Sequence, residues 1–124
     1  MNSPNPDVWV NRGGTVWQEV DSKVWVYQDA AGNTVRYPDG YPDFSPYERQ
    51  HIDVPDLKGN HSKTGNGDFA KTDRMAPKGP ANYDVNTWHH DQNGRTMREI
   101  PKNIHGPFTH RGGVSNIKKC GGGV

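Results

Sequence analysis

The sequence is poor in cysteine, in hydrophobic residues and in long apolar runs. Its single cysteine, Cys120, excludes an intramolecular disulfide and a zinc site built from several cysteines. We assign it no role because the run Lys-Lys-Cys-Gly-Gly-Gly predicts a flexible tail. No stretch has the length and apolarity of a membrane span. Residues 1–6 also lack the apolar run of a signal peptide, so we expect any export to be arranged by something outside this chain.

The low hydrophobic content limits the core that this chain can build. Only 30% of its 124 residues are hydrophobic, the mean hydropathy is −1.05, and there are 15 glycines and 10 prolines. The length suits one domain, and five tyrosines, four tryptophans and three phenylalanines argue against full disorder. We therefore expect one folded unit with a thin core, which a bound metal, a ligand or a partner protein helps to stabilise.

Charge is unevenly distributed, although the net charge is only +1. Residues 1–84 carry 9 basic and 12 acidic side chains, a balance of −3, whereas residues 85–124 carry 6 basic and 2 acidic side chains, a balance of +4. The basic part also holds most of the histidines. This combination suits a polyanionic substrate such as nucleic acid.

The first part of the chain predicts β-structure. Apolar and polar residues alternate over residues 15–20 and 23–28, and a turn then leads into an extended segment at 34–37. Residues 24–37 are therefore predicted to form a hairpin. Together these segments predict a β-meander within the first 40 residues, in which the aromatic side chains pack the sheet. Three prolines within residues 38–46 predict a loop.

A short helix and a second hairpin are predicted next. The helix spans residues 68–75, with Asp68 as its N-cap. Strands are predicted at 86–90 and 95–100, and Asn93-Gly94, the strongest signal for a two-residue turn, lies between them.

A further helix is predicted over residues 102–111, and Gly112-Gly113 would end it. Pro107 conflicts with this helix because an internal proline removes a hydrogen bond, at a cost of about 3 kcal/mol. The alternative is that Pro107 is the first helical residue and that His105 lies in the preceding loop.

Histidines cluster in the same part of the chain. Four of the six lie within the 22 residues from 89 to 110, where an even spread would place about one: His89, His90, His105 and His110. Clustered imidazoles serve metal binding or proton transfer. Since adjacent strand residues point to opposite faces, one of His89 and His90 can bind a metal while the other faces the substrate. His105 and His110, on the predicted helix, return to the same end of the hairpin. The four histidines then supply up to three metal ligands and one general base, which is the minimum for hydrolysing a phosphodiester with a cation.

Several short runs carry a resemblance to a known family. They are Trp88-His89-His90, Asn93-Gly94-Arg95-Thr96-Met97, Ile100-Pro101, Ile104-His105 and His110-Arg111-Gly112-Gly113. With a lead-in at residues 56–60 and 67–70, the chain resembles the WHH branch of the HNH/endonuclease VII superfamily, or His-Me finger nucleases, over residues 54–114. The resemblance implies a ββα-metal motif, and with the N-terminal β-meander predicted above the expected fold is α+β. We expect residues 1–50 to be an accessory β-rich region and residues 51–124 to be the nuclease domain, within one compact unit.

The resemblance also implies roles for the histidines. His89 would be a metal ligand and His90 the general base that deprotonates water. His110 would be a second ligand. His105 would be either a ligand or an orienting catalytic group, while Trp88 would belong to the core.

Basic side chains near the histidines are candidate phosphate contacts. These substrate-binding candidates are Arg95, Arg98, Arg111, Lys118 and Lys119.

The predicted function is that of a metal-dependent endonuclease that hydrolyses DNA, with RNA as the alternative substrate, and with low sequence specificity. Its cofactor would be one divalent ion: histidine ligands suit Zn, Ni or Mn, and oxygen-rich surroundings suit Mg. Because members of this branch commonly form the C-terminal domain of bacterial polymorphic toxins, we expect an antibacterial toxin domain that is part of a longer secreted polypeptide. Such a domain is delivered by a secretion system into the target-cell cytoplasm and neutralised by a cognate immunity protein.

Two other functions are consistent with the sequence. One is a ribonuclease toxin that uses the same histidines as an acid–base pair without a metal. The other is a non-catalytic module whose histidines hold zinc for structure.

Overall fold

The computed structural model describes residues 4–108, which fold into two three-stranded antiparallel sheets and three helices. In chain order the elements are α1 Pro6–Asn11, β1 Thr15–Gln18, β2 Trp25–Gln28, β3 Thr34–Tyr37, β4 Gln50–Asp53, α2 Asp68–Met75, β5 Asn86–His90, β6 Thr96–Pro101 and α3 Lys102–Phe108. Two short 3-10 turns lie between β3 and β4. The predicted α+β class is confirmed. Within residues 4–108, no helix has both the length and the apolarity needed to span a bilayer.

The N-terminal sheet has the order β1-β2-β3, which confirms the predicted meander. The sequence analysis missed α1, which precedes it. The side-chain oxygen of Asn5 accepts hydrogen bonds from the next free backbone N–H groups, and Pro6 is the first helical residue. The helix buries Trp9, whose indole N–H donates to the backbone oxygens of Thr15 and Gln28 at 3.1 and 2.8 Å. Trp9 therefore fastens α1 to the start of β1 and the end of β2.

The second sheet has the order β4-β6-β5, so β5 is an edge strand among the described elements. The predicted hairpin is confirmed, but the two-residue turn is wrong. His90 pairs with Met97, and the connection folds through Gly94, which has a φ of +76° and donates its N–H to the oxygen of Asp91. The side-chain oxygen of Asn93 accepts the backbone N–H groups of Arg95 and Thr96, so Asn93 stabilises the connection through its side chain.

Each face of the second sheet packs against a separate hydrophobic cluster. One cluster joins the N-terminal sheet to β6 and α3; it contains Trp9, Tyr27, Val35, Tyr37, Phe44, Ile100, Ile104 and Phe108. The other lies on the side of α2; it contains Val54, Phe69, Ala81, Trp88 and Met97. The sheet that carries the histidine pair is therefore held between two packed layers. The division into residues 1–50 and 51–124 stays a prediction.

A fully buried carboxylate, Glu99 of β6, connects segments that are far apart in the sequence. It accepts hydrogen bonds from the side chains of Arg49, Gln50 and Asn86 and from the backbone N–H of Asn82. Burial alone would raise the pKa of Glu99, but these donors outweigh it and hold the pKa at about 2. The carboxylate is ionised in the fold and joins β4, β5 and the loop before β5 to the central strand.

Both predicted helices of the second part are present, with two corrections. Helix α2 has the predicted bounds, but its N-cap is Gly67 and not Asp68. The carboxylate of Asp68 is hydrogen-bonded to His90 instead. Helix α3 contains both His105 and Pro107, so the alternative in which Pro107 begins the helix is wrong. Pro107 lies on the exposed side of α3, while Ile104 and Phe108 face the core. The predicted continuation of α3 lies outside the described residues.

Candidate active site

The two adjacent histidines of β5 lie on opposite faces of an edge strand. Each is only 3% exposed, and each contacts a different set of side chains. His89 faces α3 and Phe44, whereas His90 faces α2. The sequence analysis expected such a division from the strand periodicity.

His89 lies next to His105 of α3. The two ring centroids are 5.4 Å apart in an edge-to-face arrangement, and Phe44 packs against the ring of His89 at 4.7 Å. Burial lowers the pKa of His89 well below its ordinary value, and the nearby His105, His90 and Arg98 act in the same direction. Burial also lowers the pKa of His105 to about 4. Both imidazoles are therefore neutral at neutral pH.

The start of α3 fixes the position of His105. Lys102, the first helical residue, donates its N–H to the oxygen of Val85 just before β5. Ile104 and Phe108, four residues apart, then bury one face of the helix in the core. His105 follows Ile104 and is turned toward the edge of β5, where it meets His89.

The chemistry of this pair fits a divalent metal. Neutral imidazole is a good ligand for Zn, Ni and related ions, and the two rings approach each other from two different elements. Within residues 4–108, no group of three or more His, Cys, Asp or Glu side chains is placed to hold a metal. His89 and His105 would supply two ligands. The third predicted ligand, His110, lies outside the described residues.

His90 is hydrogen-bonded to a carboxylate that the sequence analysis did not connect with it. Its Nε2 lies 2.9 Å from Oδ2 of Asp68, which is fully buried. The same carboxylate accepts the backbone N–H groups of Lys58, Gly59 and Asn60 at 2.7–3.1 Å. Burial alone would raise the pKa of Asp68, but these hydrogen bonds and that of His90 outweigh it and lower the pKa. Because an ionised carboxylate only accepts, Nε2 of His90 must be the protonated nitrogen.

The loop before α2 is folded to deliver Asp68. The side chain of Asn60 accepts the backbone N–H of Asp68 at 3.0 Å. At Gly67 a β-carbon would overlap Ser62, so only glycine permits this close approach. The segment at 58–60 and the N-terminus of α2 thus form a single interlocked unit around the carboxylate.

His61, which lies outside the histidine cluster of the sequence analysis, also belongs to this region. It is exposed, but its ring centroid lies 5.6 Å from that of His90 and 5.4 Å from that of Phe69. His51, the remaining histidine, is exposed and its Nδ1 lies 2.6 Å from a carboxylate oxygen of Glu48.

A cleft of about 370 Å³ opens beside the edge of β5. Thr87 and Trp88 of β5 line it, together with the aromatic rings of Phe69 and Tyr83. Its polar lining consists of His61, Lys63, Lys102 and His105, and no carboxylate of residues 4–108 lines it. The cleft therefore has a basic lining, and it contains His105, which contacts His89, and His61, which lies next to His90.

The predicted phosphate contacts are distributed differently. Arg95 is exposed in the β5–β6 connection, 3.5 Å from Asp53. Arg98 is largely buried on β6 and forms ion pairs with Glu48 at 2.8 Å and Asp91 at 3.6 Å. Neither lines the cleft. Their contact with substrate stays a prediction, and Arg111, Lys118 and Lys119 lie outside the described residues.

Trp88 has the core role that was expected. It is 1% exposed within the α2-side cluster, and its indole N–H donates to Asp73 at 2.8 Å. The same Asp73 accepts the hydroxyl of Tyr83 at 2.7 Å. Asp73 thereby fixes both the tryptophan and one aromatic wall of the cleft.

Comparison with known families identifies the kind of protein. Residues 77–120 match the model of a family described as a nuclease of the HNH/ENDO VII superfamily with conserved WHH, and no match was found among curated proteins. This match, over 44 of the 124 residues, supports a nuclease of the HNH/ENDO VII superfamily. The matched segment contains Trp88-His89-His90, the one Trp-His-His run in the sequence.

Proposed function

We propose that the protein is a metal-dependent endonuclease that hydrolyses DNA with low sequence specificity. The observation that carries the proposal is the arrangement around β5. A neutral histidine pair lies on one face, a histidine–carboxylate pair lies on the other, and a basic cleft lined by Thr87, Trp88 and His105 opens beside the strand. Phosphodiester hydrolysis requires a site for a cation, a base for water and a place for an anionic strand.

His89 and His105 would hold the cation, with His110 as a further ligand. When bound, a divalent cation supplies charge stabilisation for the oxygens of the scissile phosphodiester. The neutral state of both rings keeps their nitrogen lone pairs available as ligands. Phe44 packs against His89 and restricts the orientation of its ring.

His90 would be the general base. With Nε2 donating to Asp68, Nδ1 would be the ring atom that takes the proton from the attacking water. Asp68 fixes the tautomer and the ring orientation, and it would stabilise the imidazolium after proton transfer. The three backbone N–H groups that hold Asp68 keep this carboxylate in place throughout.

The biological setting that we propose follows from the family resemblance and from the charge of the cleft. The domain would be an antibacterial toxin that is delivered by a secretion system and acts in the target-cell cytoplasm. An immunity protein would neutralise it in the producing cell, and an acidic face would suit a cover for the basic cleft. Expression of His90→Ala should be tolerated by cells that the native domain kills, while the variant should still bind the immunity protein.

The test is digestion of plasmid DNA and of RNA by the purified protein across a panel of divalent cations. We expect DNA cleavage that a chelator abolishes and a divalent cation restores. Cleavage of RNA alone that persists in the chelator would instead support a metal-independent ribonuclease. Tightly bound stoichiometric zinc without cleavage of either nucleic acid would support a structural zinc module.

A further inference from the structure

Two lysines from distant parts of the sequence line the cleft that also contains His61 and His105. We propose that Lys63 and Lys102 are the residues that hold the DNA backbone in this cleft by binding its phosphates. The proposal rests on the proposed function, since it names the groups that would seat the substrate of that site.

Lys63 is positioned by an aromatic wall. Its Nζ lies 4.3 Å from the centroid of the Tyr83 ring, within the range of a cation–π contact. The Tyr83 hydroxyl is anchored on Asp73, and Phe69 stacks on the Tyr83 ring at 6.1 Å with an interplanar angle of 14°. The ammonium is therefore held against the cleft wall, which reduces the side-chain entropy that binding an anion would cost.

Lys102 is positioned by the start of α3. It lies three residues before His105, so the two side chains are neighbours on the helix surface, and both line the cleft. A cation in the first turn opposes the helix dipole, which favours anions there. Helix stability therefore does not account for a lysine at this position, whereas an anion bound in the cleft would.

The two lysines also differ from most arginines of the fold. Arg36, Arg49, Arg95 and Arg98 each lie within 4 Å of a carboxylate. Among residues 4–108, neither Lys63 nor Lys102 has a carboxylate partner of this kind, and both are exposed. Two cations without carboxylate partners, in a cleft whose described lining lacks carboxylates, create a positive potential beside His61 and His105.

A phosphodiester chain is the anion that fits this arrangement. Two lysines that line one cleft can contact different phosphates of a strand that passes His105 and His61. Such contacts orient the strand but do not distinguish bases. They would therefore give binding without sequence preference, as a nuclease of low specificity requires.

The test measures binding of a fluorescently labelled DNA duplex to the full chain. The chain carries His90→Gln and divalent cations are chelated, so that the duplex is not cut during the measurement. Anisotropy titrations at several concentrations of KCl give the slope of log K against log[salt]. Each lysine replaced by glutamine should reduce the magnitude of this slope by about 0.9, and the double variant should reduce it by about 1.8. Lys63→Arg should retain the parental slope because it keeps the charge and the contact with Tyr83.

Lys23→Gln is the matched control. Lys23 lies in the β1–β2 connection of the N-terminal sheet, is exposed, and does not line the cleft. An unchanged slope in the double variant, or an equal reduction in Lys23→Gln, would overturn the proposal. If the chain cuts DNA with a cation while the double variant binds like its parent, only this inference fails. If it binds DNA through the two lysines but does not cut, only the proposed function fails.

Discussion

Replacing His90 by glutamine separates its catalytic role from its structural one. The ring donates from Nε2 to Asp68 at 2.9 Å, and the side-chain amide of glutamine can also donate to this carboxylate. An amide nitrogen is not basic, however, and cannot take a proton from water. We expect the rate of DNA cleavage to fall by about 100-fold or more, which corresponds to about 2.7 kcal/mol in the activation barrier.

The stability change should depend on which residue replaces the ring. In His90→Ala the Asp68 carboxylate keeps its three backbone donors but loses the fourth hydrogen bond, at a cost of about 1–3 kcal/mol in a buried site. Removing a ring that is only 3% exposed adds a cavity cost. His90→Gln should lose much less, because the donor to Asp68 is retained. Both variants should nevertheless have the same low rate of cleavage.

Three measurements on each variant test this reasoning. Plasmid nicking under single-turnover conditions gives the rate, urea denaturation gives the free energy of unfolding, and calorimetry gives the cation affinity. His51→Gln is the control, since this histidine is exposed and is paired with Glu48. Cleavage by His90→Gln at the native rate would refute the assignment of the base. Loss of cation affinity in His90→Gln, as expected for His89→Ala, would refute the division of roles between the two faces of β5.

Other predictions follow from the same geometry. His89→Ala and His105→Ala should each weaken cation binding and remove the rise in melting temperature that the cation produces, since a ligand that binds the native state stabilises it; unchanged affinity in calorimetry would contradict the ligand assignment. With cations chelated, the free energy of unfolding should fall as pH is lowered from about 6.5 toward about 4, because the pKa of His105 is about 4 in the fold and the unfolded chain binds more protons in this window. A pH series of urea titrations should show a smaller fall for His105→Asn. Arg98→Ala should lower the free energy of unfolding by about 1–3 kcal/mol because it leaves two partly buried carboxylates without their cation, whereas the exposed Arg95→Ala should change it by less than about 0.5 kcal/mol. Arg95→Ala should instead reduce the salt dependence of DNA binding, and an unchanged slope would remove Arg95 from the interface.

Local patterns predicted the elements whose determinants are adjacent in the sequence. The alternation around Trp25 and Tyr27 predicted the first hairpin, and the helix at 68–75 was predicted with its observed bounds. Helix α1 has a local signal as well, because Asn5-Pro6 is a typical helix start. The alternation of apolar and polar residues from residue 15 onward led the sequence analysis to predict only strands in this part of the chain. The turn at Asn93-Gly94 was mispredicted because Asn93 satisfies the backbone with its side chain, which dipeptide preference does not capture.

The parts that escaped prediction depend on contacts between distant residues. Strand β4 has only one apolar residue, Ile52, and it is a strand because it pairs with β6 more than 40 residues later. Asp68 is 22 residues from His90, and its acidic character in a first helical turn predicted an N-cap instead. The histidine cluster predicted the candidate site residues, since clustered imidazoles serve metal binding or proton transfer. It could not indicate the carboxylate behind His90 or the lysines that share the cleft.

The buried Glu99 limits how this nuclease could be transferred between proteins. The matched segment begins at residue 77, yet the carboxylate at its centre requires Arg49 and Gln50, and His90 requires Asp68. A fragment cut at residue 77 would expose an ionised glutamate with two of its donors missing, on a strand that has lost its β4 neighbour. We expect such a fragment to be unfolded and inactive. Recombination that moves the matched segment into a new polypeptide would therefore have to carry the residues from Arg49 onward as well. The segment that must be inherited as one piece is larger than the motif that identifies the family.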